Sequence, residues 1–149
     1  MATRDVESRI TRFKGEVPTG ATIEERLASL ATATVHWTLD TDRMELMRLA
    51  VAEARRFPDL ASTVSRTARE LSTEVAARHL GEMTRSDQLG SCRRSLATTA
   101  RFFLDLVAVP MLLRALFEVN PKTLQAEISP HVARSVAFFL AACRHGGVS

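Results

Sequence analysis

Tyrosine is missing from this 149-residue sequence, and it holds one tryptophan, six glycines and five prolines. Val and Ile together are outnumbered by Ala, Leu and Arg. A chain this poor in β-branched and aromatic residues has little to build a sheet with, and one this poor in Gly and Pro has few tight turns. An all-β domain is excluded, and helix formers dominate what is left. Lysine is almost absent as well. Lys14 and Lys122 are the only two among 20 basic residues, and the net charge is +3. The arginines are scattered among acids, whereas a nucleic-acid surface gathers its cations into a patch. Direct nucleic-acid contact by this stretch is not expected.

Further absences narrow the chemistry. The two cysteines, Cys92 and Cys143, stand in no CxxC or Cys/His spacing, so the expectation is two reduced thiols filling space in a cytoplasmic protein. No Gly-rich phosphate loop, HExxH or EF-hand pattern occurs, and no cofactor is implied. His36, His79, His131 and His145 fall on four different predicted elements; none has a histidine partner at metal-ligand spacing, and no metal site is expected. No nucleophile–base–orienter set is visible either, so catalytic residues are not assigned and an enzyme is the least favoured reading. The most apolar run, Leu106 to Leu113, is bounded by Asp105 and Arg114 and contains Pro110. A spanning helix needs about 20 apolar residues, so no membrane span is expected, and the opening residues do not read as a signal peptide.

What is present is 46% apolar and 25% charged, an ordinary globular balance of one domain's length. Val6, Ile10 and Phe13 predict a helix over Thr3 to Lys14, and Gly15 to Gly20 a loop. Thr22 with Glu25 forms a capping box, opening a helix to about Leu39. The stretch Asp40 to Asp42 supplies the next N-cap, and Met44, Met47, Ala50, Val51 and Ala54 carry the helix that follows. Pro58 ends it. Proline disfavours helical geometry at Phe57 and suits the first position of a new helix, so "RFPD" reads as a sharp corner with Phe57 as its apolar plug. The next helix runs from Pro58 to about His79 or Leu80, with a loop inside Gly81 to Ser91. A long apolar helix, Cys92 to Phe117, carries two apolar stripes, and Pro110 should kink it by removing the hydrogen bond to the Leu106 carbonyl. The last helix is expected from Ser129 as N-cap and Pro130 at its first position. The sum is an all-α bundle of about six helices.

Three features invite chemical readings. His36 and Trp37 sit on an otherwise apolar helix, either as a polar group and an aromatic wall in a cavity or as a half-exposed His and a core Trp. Arg101 and Asp105 are spaced i, i+4 in the most apolar helix, either as ligand contacts or as a solvated edge. Glu53 reads as structural, and the methionines as deformable core.

The stretch "LMRLAVAEARRFPDLASTV", Leu46 to Val64, resembles a helix pair in the C-terminal domain of one large group of TetR-family transcriptional regulators. Glu53, Ala54, Arg56, Phe57, Pro58 and Leu60 match its pattern. "RFFLDLVAVPMLLRALF", Arg101 to Phe117, is similar to that group's penultimate helix. The resemblance implies a homodimer whose last two helices form a four-helix interface, and an interior that binds a small apolar or amphipathic effector. It also implies operator DNA bound by an N-terminal helix-turn-helix domain. On that basis His36, Trp37, Arg101, Phe102 and Asp105 are the expected ligand-lining residues. Leu112, Leu116, Phe138 and Phe139 are expected at the dimer interface or in its supporting core. One departure stands out: nothing before Thr22 reads as a helix-turn-helix. Residues 1–20 are expected to be the remnant of the connecting helix and loop, and 21–149 the ligand-binding and dimerisation domain. The rival reading is a standalone helical interaction module without a ligand.

Overall fold

The computed structural model describes residue 11 and residues 17–85, 95–117 and 120–145. Six helices occur among them: α1 (Ile23–Thr38), α2 (Thr41–Glu53), α3 (Pro58–Arg85), α4 (Leu96–Val107), α5 (Val109–Phe117) and α6 (Pro121–Arg144). The helix expected over 3–14 lies outside the described residues except for Thr11, which is helical.

The local signals at α1 act as the sequence suggests. The Thr22 hydroxyl accepts from Glu25 N–H at 3.2 Å, and Glu25 Oε2 accepts from the Thr22 and Ala21 amides at 3.3 and 2.8 Å. Three backbone donors at the helix start are thereby satisfied. Gly20 makes this approach possible. Its φ is +139°, and a Cβ there would lie 2.5 Å from Glu25 Cβ. At the "RFPD" corner the Phe57 amide donates to Glu53 O at 2.8 Å, and Pro58 is the first residue of α3. Phe57 itself is a correction: it is exposed, with the Arg56 guanidinium 5.1 Å from its ring centroid, and is not an apolar plug. The chain turns there because of proline's backbone, with no need of a buried ring.

The core gathers around α4. Phe103 is fully buried and meets Phe139 edge-on, with ring centroids 5.1 Å apart at 71°. Leu27, Leu30 and Val35 of α1, Leu80 and Met83 of α3, and Val136 and Leu140 of α6 close around the same centre. The closest helix pairs are α3 with α4 and α1 with α6. Arg144 in the last turn of α6 donates to Glu24 Oε1 in the first turn of α1 at 3.0 Å, so each charge also suits its helix end. Arg48 of α2 donates to the Ala115 carbonyl of α5 at 2.8 Å, and Arg114 pairs with Glu127.

Several expected boundaries move. The helix α3 continues through Gly81 to Arg85, because Met83 and Thr84 are buried and the small residue at 81 lets Leu96 come close. Packing overrides the propensity cost of one glycine. The helix α6 starts at Pro121, not near Pro130. Asn120 caps it by accepting from the Lys122 and Thr123 amides at 3.0 and 3.4 Å, and Leu124 and Ile128 are already core residues. The start of the long apolar helix at 92–94 lies outside the described residues, but its kink is where Pro110 puts it: α4 and α5 are one rod broken at Ala108. The freed carbonyls are met from α6. His131 Nε2 lies 2.8 Å from Val107 O, so that nitrogen carries the proton, and Ser135 Oγ is 3.5 Å from Leu106 O. Leu96 to Phe117 spans 22 residues and by length and composition alone could cross a membrane. In this fold it packs against α1, α3 and α6.

Reduced thiols are a further correction. Cys143 is buried on α6 and disulfide-bonded. The sequence has one other cysteine, Cys92, which lies outside the described residues.

Gly20→Ala should lower stability by about 1–2 kcal/mol, since alanine pays for positive φ and meets Glu25. Thermal unfolding should show a midpoint several degrees lower; an unchanged midpoint would show that the turn before α1 is not constrained.

Candidate functional site

Two features stand out from the core: a cleft with one buried polar side chain, and an exposed apolar face. The cleft encloses about 250 Å³. Val17, Pro18 and Thr19 form one wall, Ser29, Leu30 and Ala33 of α1 a second, and Val75 and His79 of α3 the third. The first wall is pinned to the second at its rim, where the Thr19 amide donates to Ser29 Oγ at 3.1 Å.

His79 belongs to the inward stripe of α3 formed by Val75, Ala76, Leu80 and Met83. It occupies a place where helical spacing calls for an apolar residue, and its side chain is 4% exposed. Its Nδ1 lies 3.7 Å from Glu82 Oε2, beyond hydrogen-bond reach, and neither ring nitrogen has a hydrogen-bond partner among the described residues. Burial pushes the His79 pKa below its ordinary value, and the charge of Arg78 and, more weakly, Arg26 acts the same way against the opposing pull of Glu82. The ring is therefore neutral at pH 7. A neutral imidazole offers one donor and one acceptor.

The residues expected to line a ligand cavity stand elsewhere. His36 is exposed. Trp37 is half-buried, with the Arg43 guanidinium 3.9 Å from its ring centroid. Burial lowers the Arg43 pKa from its ordinary value, and Asp40 opposes that shift. Arg101, Phe102 and Asp105 lie together on the exposed side of α4. None of the five is on the walls of the cleft. Among four scattered histidines, spacing between histidines does not single out His79. The signal was its register: it falls four residues after Val75 and four before Met83, in an apolar stripe.

The exposed face follows the broken rod. Phe102, Leu113 and Phe117 are 52%, 49% and 84% exposed, and Phe138 on α6 is 69% exposed. Leu106 and Val109 complete the stripe, half-buried, at helical spacing. On α6, Ala133, Ala137, Ala141 and Ala142 are exposed near Phe138, together with Arg134 one turn before it. Of the residues expected at an interface or beneath it, Phe138 is on this surface. Leu112 and Leu116 are half-buried against the core, and Phe139 is buried in it.

A family model described as AefR-like transcriptional repressor, C-terminal domain, matches residues 25–144. That range runs from the first turn of α1 to the last residue of α6, and the chain belongs to this family of TetR-type C-terminal domains. No curated protein and no solved structure matches the chain.

The depressed His79 pKa has a stability consequence. Its contribution is fully present above the unfolded value near 6.5, where the ring is neutral in both states. It is lost as pH falls below that value toward the lower folded pKa, because the unfolded chain takes up the proton first. Melting curves at pH 7.5 and 5.5 should show a smaller difference for His79→Gln than for the unmodified chain. Equal differences in the two proteins would remove His79 from the acid response.

Proposed function

We propose that this chain is the effector-sensing and dimerisation part of a TetR-type transcriptional repressor. It acts as a homodimer in the cytoplasm and is addressed to operator DNA by a helix-turn-helix domain that these residues do not include. Family membership supports the regulatory role. The observation that carries the dimer is the aromatic face formed by Phe102, Leu113, Phe117 and Phe138. Large apolar side chains left exposed on neighbouring helices support an association surface. A stable symmetric pair needs about 800 Å² from each partner, and two neighbouring helices with a small-residue strip on one of them are suited to close pairing with a second copy. In this reading Leu112, Leu116 and Phe139 support the face from below. Arg101, Phe102 and Asp105 lie at the boundary between copies, so a ligand touching them is one that the second copy helps to hold. His36 and Trp37 close the far end of α1. The effector reading follows the family and the presence of a cleft with a polar group inside it. Cytoplasmic location follows from the regulatory role; the disulfide at Cys143 pulls the other way, because reducing compartments keep thiols open.

A second reading has an observation of its own. Leu46, Leu49 and Val51 of α2, with Phe57 and Leu60 at the corner, form another set of exposed apolar residues. A helical module that docks a different protein would use such a surface.

Sedimentation equilibrium separates the two. The unmodified chain should be a dimer. Phe138→Arg should weaken the dimer by about thirtyfold or more, since a central aromatic contact is worth on the order of 2 kcal/mol or more, with far-UV circular dichroism unchanged. Leu49→Arg should leave the dimer intact. A strict monomer at high concentration, or a dimer broken by Leu49→Arg and not by Phe138→Arg, would overturn the assignment.

A further inference from the structure

We infer that the cleft between segment 17–20, α1 and α3 binds a small neutral molecule, mostly apolar and carrying one hydroxyl or carbonyl group, which His79 recognises by a hydrogen bond. The inference deepens the effector reading and rests on it, naming where the ligand sits and what chemistry it has.

His79 is the first reason. Natural proteins pair almost all buried polar groups. An imidazole in the apolar stripe of α3 with neither nitrogen hydrogen-bonded among the described residues, and only Glu82 Oε2 at 3.7 Å from Nδ1, is an exception that needs a cause. Apolar residues at 75, 76, 80 and 83 show that the stripe is otherwise made for burial, so the imidazole does nothing for packing that a leucine would not do better. It lines the cleft, and a ligand entering there reaches a polar atom that the protein leaves unused.

Size and charge restrict the ligand. A cavity of 150 Å³ lined by hydrocarbon holds benzene. The present cleft of about 250 Å³ then suits a molecule on the order of ten non-hydrogen atoms. Val17, Leu30, Ala33 and Val75 supply apolar contact, and no lysine, arginine or carboxylate is among the described lining residues. An ion entering would lose its hydration with no charged group on the walls, since Arg78, Arg26 and Glu82 act on His79 from outside the lining. The neutral ring, in contrast, can donate to a carbonyl or hydroxyl oxygen, or accept from a hydroxyl. The Thr19–Ser29 pair at the rim ties segment 17–20 to α1 and leaves His79 as the buried polar group of the site. A phenol or a cyclic alcohol has the size, neutrality and single polar group required.

The test uses the full chain and four probes of similar size: phenol, cyclohexanol, toluene and benzoate. Histidine ring C–H resonances are followed by NMR through each titration, with the His79 signals identified by their loss in His79→Leu. Phenol and cyclohexanol should shift the His79 signals saturably. Toluene, which lacks the polar group, should bind about tenfold more weakly or worse, and benzoate should not saturate. His79→Leu should weaken phenol by about tenfold while melting at or above the unmodified chain, since it replaces an unpaired polar group by an apolar one. Ala33→Leu, which fills the cleft from α1, should abolish binding without touching the histidine. The inference is overturned if neither phenol nor cyclohexanol saturates. It is also overturned if both bind equally well to the two variants, or if benzoate binds best. The repressor reading fails separately, on a monomer in sedimentation, and phenol binding that depends on His79 would survive that failure.

Discussion

A helix that is apolar around most of its circumference must be covered around most of it, and the rod from Leu96 to Phe117 makes that demand of this chain. Its inward stripe, with Phe103, Val107 and Met111, is sealed by α1, α3 and α6. One straight rod would carry this stripe away from the bundle. The break at Ala108, forced two residues later by Pro110, turns α5 so that Met111 and Ala115 stay buried. The break exposes backbone carbonyls inside the protein, where they need partners. His131 and Ser135, one turn apart on α6, reach toward them. The last helix is thus held to the kink by polar contacts as well as by Phe139 against Phe103. The side of the rod that these elements leave uncovered is the aromatic face, so the same demand accounts for both the core and the surface.

Local backbone chemistry was legible from the residues alone. The capping box at Thr22, the corner at Pro58 and the kink at Pro110 each depend on one or two side chains and their immediate neighbours. Punctuation residues misled wherever packing could outweigh them. Gly81 looked like the end of a helix, but Met83 and Thr84 beyond it had places waiting in the core. Pro130 looked like a helix start, but Leu124 and Ile128 before it were already needed. Asn120 with Pro121 carried the true start signal, a capping side chain followed by the one residue that wastes no amide at that position. Periodicity also says which side of a helix is apolar without saying what covers it. The helix α2 is the clear case: of Met44, Met47, Ala50 and Val51, only Met44 is fully buried.

The candidate site was the least legible part, for a related reason. Charged residues on an apolar helix, Arg101 and Asp105, draw the eye because they contrast with their neighbours in sequence. In the fold that contrast marks the exposed edge of α4. A polar residue inside an apolar stripe is harder to see, since one histidine interrupts a run of alanine, valine and leucine only slightly. Yet only the second arrangement places an uncompensated polar group out of water.

The position of α1 relates the two surfaces. One side of α1 contributes Ser29, Leu30 and Ala33 to the cleft, while Leu27 and Ala31 belong to the core that α6 shares. Its first turn is tied to the last turn of α6 by the Glu24–Arg144 pair. A change in the spacing of α1 and α3 therefore cannot be absorbed in the cleft alone, because close-packed interiors pass displacement on to their neighbours. The neighbour here is α6, which carries the exposed Phe138. A ligand that favoured one spacing over another by about 1.4 kcal/mol would shift the balance of the two arrangements tenfold. For a protein whose output is the geometry of a pair, the economical place for a sensor is against the helix that the pairing helix leans on. In this chain the cleft with the unpaired histidine occupies that place.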